Sequence, residues 1–161
     1  MKYSTKYSLL ILMILITGCH MEKKSEVPIP QSEAVFSLGE LTSSDNFTGK
    51  VWVNIMGASD STLHARFGNV SFEPRARTNW HSHPGGQILL ITEGRGYYQA
   101  LGQPARLLKQ GDVVEIPRNV MHWHGAAPDS EFAHIAISLN TDDGGAAWSG
   151  PVTDEEYNNL Y

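Results

Sequence analysis

The sequence predicts an all-β domain, built as a sandwich or a small barrel. Three observations point there. No long stretch after residue 35 keeps a helical period. Short runs of apolar and β-branched residues recur instead, separated by Gly, Pro, Asn and Asp clusters. Finally, 15 Gly and 8 Pro in 161 residues, with 41% hydrophobic and 18% charged side chains, describe a loop-rich globular chain. That composition argues against a coiled coil, a disordered tail or a multi-span membrane protein. The length suits one domain. A formal charge of -5 without a basic patch argues against nucleic acid as a partner. A single Cys leaves no internal disulfide framework and no Cys-rich zinc site.

The first element is an address. Lys2 and Lys6 precede an unbroken apolar run from Leu9 to Ile16, followed by Thr17, Gly18 and Cys19. A basic start, a short apolar stretch and small residues at the cut make a secretory signal over residues 1–18. The run is shorter than the roughly 20 apolar residues a membrane span needs. Ile16-Thr17-Gly18-Cys19 resembles a bacterial lipobox, although Leu is commoner than Ile at its first position. The resemblance implies cleavage before Cys19, lipid on its thiol and new amino group, and a chain exported and anchored to the bacterial membrane. An ordinary signal peptide with a chance Cys is the alternative. Cleavage would remove Lys2 and Lys6 and carry the formal charge from -5 to -7. An acidic body does not adhere to an anionic surface, so the lipid would do the anchoring. Residues 19–35 are polar with two prolines and read as a tether. Residues 36–161 make the domain.

Within it, strands are expected over Lys50–Met56, Thr62–Phe72, Thr78–His83, Gln87–Glu93, Gly96–Leu101, Arg106–Lys109, Asp112–Ile116, Met121–His124 and Phe132–Leu139. Turn signals separate them, among them Pro84-Gly85-Gly86, Glu93-Gly94-Arg95-Gly96 and Gln110-Gly111-Asp112. Near the C-terminus, Thr153 with Glu156 three residues on fits a capping box and a short helix.

The seven histidines are the unusual number. His81 and His83 sit two apart on one expected strand, so both side chains leave the same face. A turn follows, and Gln87 opens the next strand with an amide that can approach the same point. His122 lies on a later strand. Three imidazoles and one amide oxygen converging inside a barrel would form a metal site with open positions for water or substrate.

Residues 81–94, His-Ser-His-Pro-Gly-Gly-Gln-Ile-Leu-Leu-Ile-Thr-Glu-Gly, resemble the first cupin motif: His-x-His, three residues, Glu or Gln, six residues, Gly. Residues 111–122 resemble the second, with Gly111, Pro117 and His122 in place. Asn119 stands where that motif often has Gly, and Ala126 where it often has Asn; neither is a ligand. The resemblance implies a double-stranded β-helix, the jelly-roll cupin barrel, with His81, His83, Gln87 and His122 as ligands of one divalent metal inside it.

A narrower resemblance runs from about Asn46 to Tyr157. It is carried by residues 72–78, Trp80-His81-Ser82-His83-Pro84, residues 122–128, His134-Ile135-Ala136-Ile137 and residues 152–157. These strings are similar to small bacterial cupins that include manganese-dependent hydroxynitrile lyases. The resemblance implies manganese, with iron, zinc or nickel as alternatives. Thr78, His124 and His134 match polar positions of that group's pocket. Ser138 departs from it, since the lyases carry Gln there.

The residues also speak for themselves. A neutral Gln87 leaves the metal more Lewis-acidic than a Glu would. His124 follows His122 by two and shares its face. His134 shares a face with Ala136 and Ser138, opposite Ile135 and Ile137. Both extra imidazoles could be general acids or bases, or could orient a neighbour. The Thr78 hydroxyl could bond substrate or satisfy a backbone group, although its parity matches neither ligand. His64 is expected at a rim or surface, and His20 in the tether. Trp80 and Trp123 have outward parity and read as packing residues; Trp52 and Trp148 could cap the barrel or an interface. Arg75 and Arg77 could attract a carboxylate or lie solvated. The expected function is a metal-dependent lyase or isomerase on a small oxygenated substrate (cyanohydrin, keto-acid or unsaturated sugar acid). An Fe(II) dioxygenase and a non-catalytic small-molecule or sugar binder are the alternatives. Homo-oligomers are common among small cupins, and no residue proves one here.

Overall fold

The computed structural model describes residues 35–57 and 62–160. The expected leader, Cys19, His20 and the tether up to residue 34 lie outside them. Among the described residues no helix is long and apolar enough to cross a membrane. Twelve strands are present there: β1 (Glu40–Leu41), β2 (Phe47–Thr48), β3 (Val51–Gly57), β4 (Ala65–Phe72), β5 (Arg77–Thr78), β6 (His81–Ser82), β7 (Gln87–Ala100), β8 (Arg106–Lys109), β9 (Val113–Ile116), β10 (His122–Ala126), β11 (Phe132–Leu139) and β12 (Ala147–Trp148). A short helix, α1 (Asp154–Asn158), follows.

β7 organises the barrel. Its first half pairs with β11 and β9, and its second half with β10 and β8, all antiparallel. One sheet therefore runs β1-β3-β4-β11-β7-β9. The other runs β2-β5-β10-β7-β8, with β6 also beside β10 and β12 beside β6. Two sheets that share a strand and face each other make a jelly roll. The turn expected at Glu93–Gly96 is a corner instead, and β7 passes through it unbroken. Gly94 has φ +68, and a Cβ there would lie 1.8 Å from the Glu131 carbonyl oxygen. Only glycine lets the strand bend at that point and continue into the second sheet.

Other boundaries moved for local reasons. The strand expected from Thr62 starts at Ala65, because His64 takes φ +47. The strand expected over Thr78–His83 is split into β5 and β6. Between them the Asn79 and Trp80 amides leave the ladder and donate to the Asn46 and Gly150 carbonyls, at 2.8 and 3.1 Å. β1, β2 and β12 are two residues each, too short for alternation to announce them.

Between the sheets sit Val51, Phe72, Leu89, Leu108, Val114 and Phe132. Each contributes about 1.5–3 kcal/mol by leaving water. A second cluster covers the outer side of β10, where Trp123, Val152 and Tyr157 are buried and Trp80 packs against them. The expected capping box closes α1: Thr153 Oγ1 accepts from the Glu156 amide at 3.1 Å, and the Glu156 carboxylate accepts from the Thr153 amide at 2.7 Å. Arg77 belongs to this cluster. Its guanidinium is 3% exposed, donates to the Val152 carbonyl and the Asp154 carboxylate, and lies 4.7 Å from the Tyr157 ring centroid. Arg75 donates to Asn158 Oδ1 at 2.7 Å. Arg77 therefore clamps the C-terminal segment and is not free in solvent, whereas Arg75 is exposed, as the solvated reading has it, and reaches that segment through Asn158.

Candidate metal centre

The site lies between the two sheets, with the core residues Phe72 and Phe132 packed against its deepest histidine, His134. Each candidate ligand is held by a backbone reason. His81 on β6 is in register with His122 on β10, and Trp148 of β12 flanks His81 on the other side. His83 follows β6, and its carbonyl is fixed by the amides of Gly86 and Asn119 at 3.1 and 2.9 Å. The chain then turns through Gly85, where a Cβ would meet the Leu139 carbonyl oxygen at 1.8 Å. That tight passage brings Gln87 back as the first residue of β7.

The ligand atoms of His81, His83 and His122 lie within 4.8 Å of one another, and all three residues are buried. His81 Nδ1 faces the Asn79 carbonyl at 3.0 Å, and His122 Nδ1 faces the Val120 carbonyl at 2.8 Å. A carbonyl only accepts, so each Nδ1 carries the proton and each Nε2 presents a lone pair. Gln87 Oε1 sits 3.3 Å from His122 Nε2. Two acceptors thus point at one spot. The His83 Nε2 is buried with no hydrogen-bond partner. Burial lowers the imidazoles' proton affinity: His83 and His122 are pushed down to about 4, and His81 is held well below its ordinary value by burial and by His122. At neutral pH all three are uncharged. Neutral imidazoles with orphaned lone pairs, and an amide oxygen opposing one of them, fit a divalent cation as the missing partner.

A cavity of about 530 Å³ opens beside this cluster. His81, His83, Gln87, Thr78, His124 and Ser138 line it, together with Phe47, Val53, Val70, Ala136 and Trp148. The break at Asn79–Trp80 resets the strand's parity, which is why Thr78 faces inward with the ligands. Its Oγ1 accepts from the His124 amide at 3.2 Å. His124 reaches the cavity wall. His134 does not: it is fully buried behind His124, with His134 Nε2 and His124 Nδ1 3.2 Å apart. His134 Nδ1 has no partner. Of the two tautomers, the one with His134 donating leaves an orphaned acceptor there, and the other leaves an orphaned N–H, which is the rarer situation in proteins. The first therefore wins, and His124 presents Nε2–H to the cavity. Burial pushes His134 down to about 3 and, with the His134 charge, holds His124 well below its usual range.

His64 is at the surface, its Nδ1 2.5 Å from the Asp142 carboxylate, on a loop whose Thr141 and Gly144 line the cavity. Two lining residues escaped the sequence reading as site residues. Trp148 lies with its ring centroid 4.6 Å from that of His81. Arg66 projects from β4 with the parity of Val70 and Phe72, a signal that was available once β4 was known to face the site.

An all-β jelly roll with a buried His-x-His, Gln and His convergence defines a cupin, and the chain belongs to that family. Residues 68–138 match the cupin domain. The chain is 43% identical over 115 residues to an (R)-mandelonitrile lyase from Granulicella tundricola, covering 71% of this chain and 87% of the relative. A weaker match, 26% over 83 residues, joins it to an acireductone dioxygenase from Alcanivorax borkumensis, covering 50% of this chain and 46% of that one. Among solved structures, a cupin-like protein from Thermotoga maritima superposes with TM-score 0.78 at 54% identity, covering 80% of this chain and 97% of that one.

Proposed function

We propose that this chain is a metal-dependent lyase for a small oxygenated substrate, with His81, His83, Gln87 and His122 holding one divalent ion, manganese by preference. The observation that carries the reading is the opposition of unprotonated Nε2 and Oε1 atoms beside an open cavity. The 43% identity to a mandelonitrile lyase supports elimination from a cyanohydrin-like substrate. When bound, a divalent ion supplies Lewis acidity, undiminished in charge because all four ligands are neutral. The chain's own residues do the rest. His124 moves the proton at Nε2, the ring nitrogen turned to the cavity. His134 fixes the tautomer of His124 through Nδ1 and is a positioning residue. Thr78 holds the His124 backbone and borders the substrate. Trp148 and the apolar side chains of the wall give the substrate's non-polar part a surface to pack on. The lipobox-like Ile16–Cys19 supports an exported chain tied to the membrane through lipid on Cys19.

The test is turnover of mandelonitrile to benzaldehyde by protein loaded with manganese and checked by elemental analysis. His124→Ala should lower kcat by about 10²–10⁴-fold. His134→Ala should lower it by about 10–100-fold and shift the pH profile, both with metal retained. Metal-loaded protein inert on mandelonitrile would remove the cyanohydrin reading. The second reading, an Fe(II) dioxygenase, is favoured by the acireductone dioxygenase match and would show as oxygen uptake by iron-loaded protein.

A further inference from the structure

The cavity beside the histidines contains one charged side chain among its described lining residues, Arg66, and no carboxylate. The chain as a whole is acidic, with a formal charge of -5, so this cation is a local exception. Arg66 has no ion pair and no hydrogen bond within the described structure. Its situation differs from that of the other site-side cation and acids: Arg118 pairs with Asp143, and Asp142 with His64. Neither acid forms an ion pair with Arg66.

Its position in the sheet is specific. Ser138 on β11 is in register with Arg66 on β4 on one side and with Gln87 on β7 on the other. The three form one row across the inner face, Arg66–Ser138–Gln87. Two strand spacings, about 10 Å, separate the arginine's backbone from that of the ligand. A guanidinium reaching inward from the end of such a row can meet a group a few atoms from whatever occupies the metal position. Arg66 is exposed, at the open side of the cavity, and Phe47, Val53, Ile55, Phe67 and Trp148 supply apolar wall beside it. An unpaired guanidinium in that setting suits a planar carboxylate, which it can grip through two parallel N–H···O bonds. The Ser138 hydroxyl, midway along the row, can donate to the same group.

We propose that the physiological substrate carries a carboxylate or an equivalent anion, received by Arg66 with Ser138, while its neighbouring oxygen faces the His81–His83–Gln87–His122 cluster. The inference rests on the metal reading above for the second half of that statement. It narrows the physiological substrate of that lyase chemistry to acid-bearing members of the class, for which neutral mandelonitrile serves only as a test substrate.

The experiment is calorimetric titration of manganese-loaded protein with mandelate and with mandelamide, which share a skeleton and differ in charge. Mandelate should bind the parent protein about tenfold or more tighter. Arg66→Gln should remove that preference and weaken mandelamide by less than about threefold, with metal content unchanged. Arg66→Lys should restore part of the preference, and added salt should erode it. Equal affinities in the parent, a preference that survives Arg66→Gln, or no binding of either ligand to loaded protein overturns the anion subsite. Uptake of manganese is measured separately on the same samples. Protein that takes up none overturns the metal reading; the same ligand pair is then compared on it, and a preference that Arg66→Gln abolishes keeps the anion subsite standing.

Discussion

The outer side of β10 and the inner end of the barrel bury polar side chains in opposite ways. Outside, Arg77 is sealed under Tyr157 and α1, and its donors are spent on the Val152 carbonyl, the Arg75 carbonyl and the Asp154 carboxylate. The Tyr157 hydroxyl donates to the Ala126 carbonyl at 2.7 Å. Inside, His83 Nε2 and His134 Nδ1 have no partner, and Gln87 Oε1 opposes His122 Nε2. Unmet buried polar atoms cost about 1–3 kcal/mol each. Among the described residues the fold carries that cost at the histidine end. The closed cluster serves stability, and the open one presents a donor set that could hold a metal ion. This difference can be broken experimentally by changing either end and reading both.

The largest effect tied to a single site belongs to the ligands. Metal-loaded protein should be stabilised over metal-free protein by about 4 kcal/mol when free metal exceeds its dissociation constant about a thousandfold. His122→Ala should lose that stabilisation and the bound metal together. Thermal unfolding with and without metal checks it, and a variant that still gains melting temperature from metal would place the ion elsewhere.

Group by group, a smaller effect of about 2 kcal/mol each comes from pH on the metal-free protein. His83 and His122 titrate near 4 and His134 near 3 when folded, whereas an unfolded chain's imidazoles titrate near 6.5. Below about pH 6.5 the unfolded chain therefore binds protons that the native state refuses. Stability from these groups is full above that pH and falls as pH drops toward 4, by about 1.4 kcal/mol per pH unit for each group. Urea midpoints at pH 7.5 and 5.0 measure it. A midpoint that does not move would show that the histidines are not sealed from water as drawn.

Much of the inner end was legible beforehand, because strand alternation alone puts His81 with His83, His122 with His124, and His134 with Ser138. Depth was not legible. Alternation says which face a side chain leaves by, and it cannot say that His134 lies behind His124 while His124 touches the cavity. Thr78 looked misplaced by parity until the Asn79–Trp80 break restored it, and that break depends on carbonyls from distant loops. The continuous β7 was read as two strands because Gly94 and Gly96 signal a turn locally. Only the partner strands on both sides show that the glycines bend the chain between sheets. Arg77 was misjudged for a similar reason. Its burial is created by α1, which arrives 77 residues later.

Arg77 also supplies the smallest of the three tests, and the one that separates the two ends most cleanly. Arg77→Ala removes two donors to the Val152 carbonyl and one to Asp154. Asp154 is 80% exposed, so water replaces the lost charge partner and little of the penalty lies there. The Val152 carbonyl and the vacated space under Tyr157 carry most of it, for a total of about 2–3 kcal/mol. Arg77 neighbours Thr78 in sequence, yet its side chain leaves the opposite face of β5 and does not line the cavity. Metal uptake should therefore match the parent protein while the urea midpoint falls. If the variant instead loses metal affinity in step with stability, the C-terminal clamp and the histidine cluster form one cooperative unit, and the contrast between a closed end and an open one does not hold.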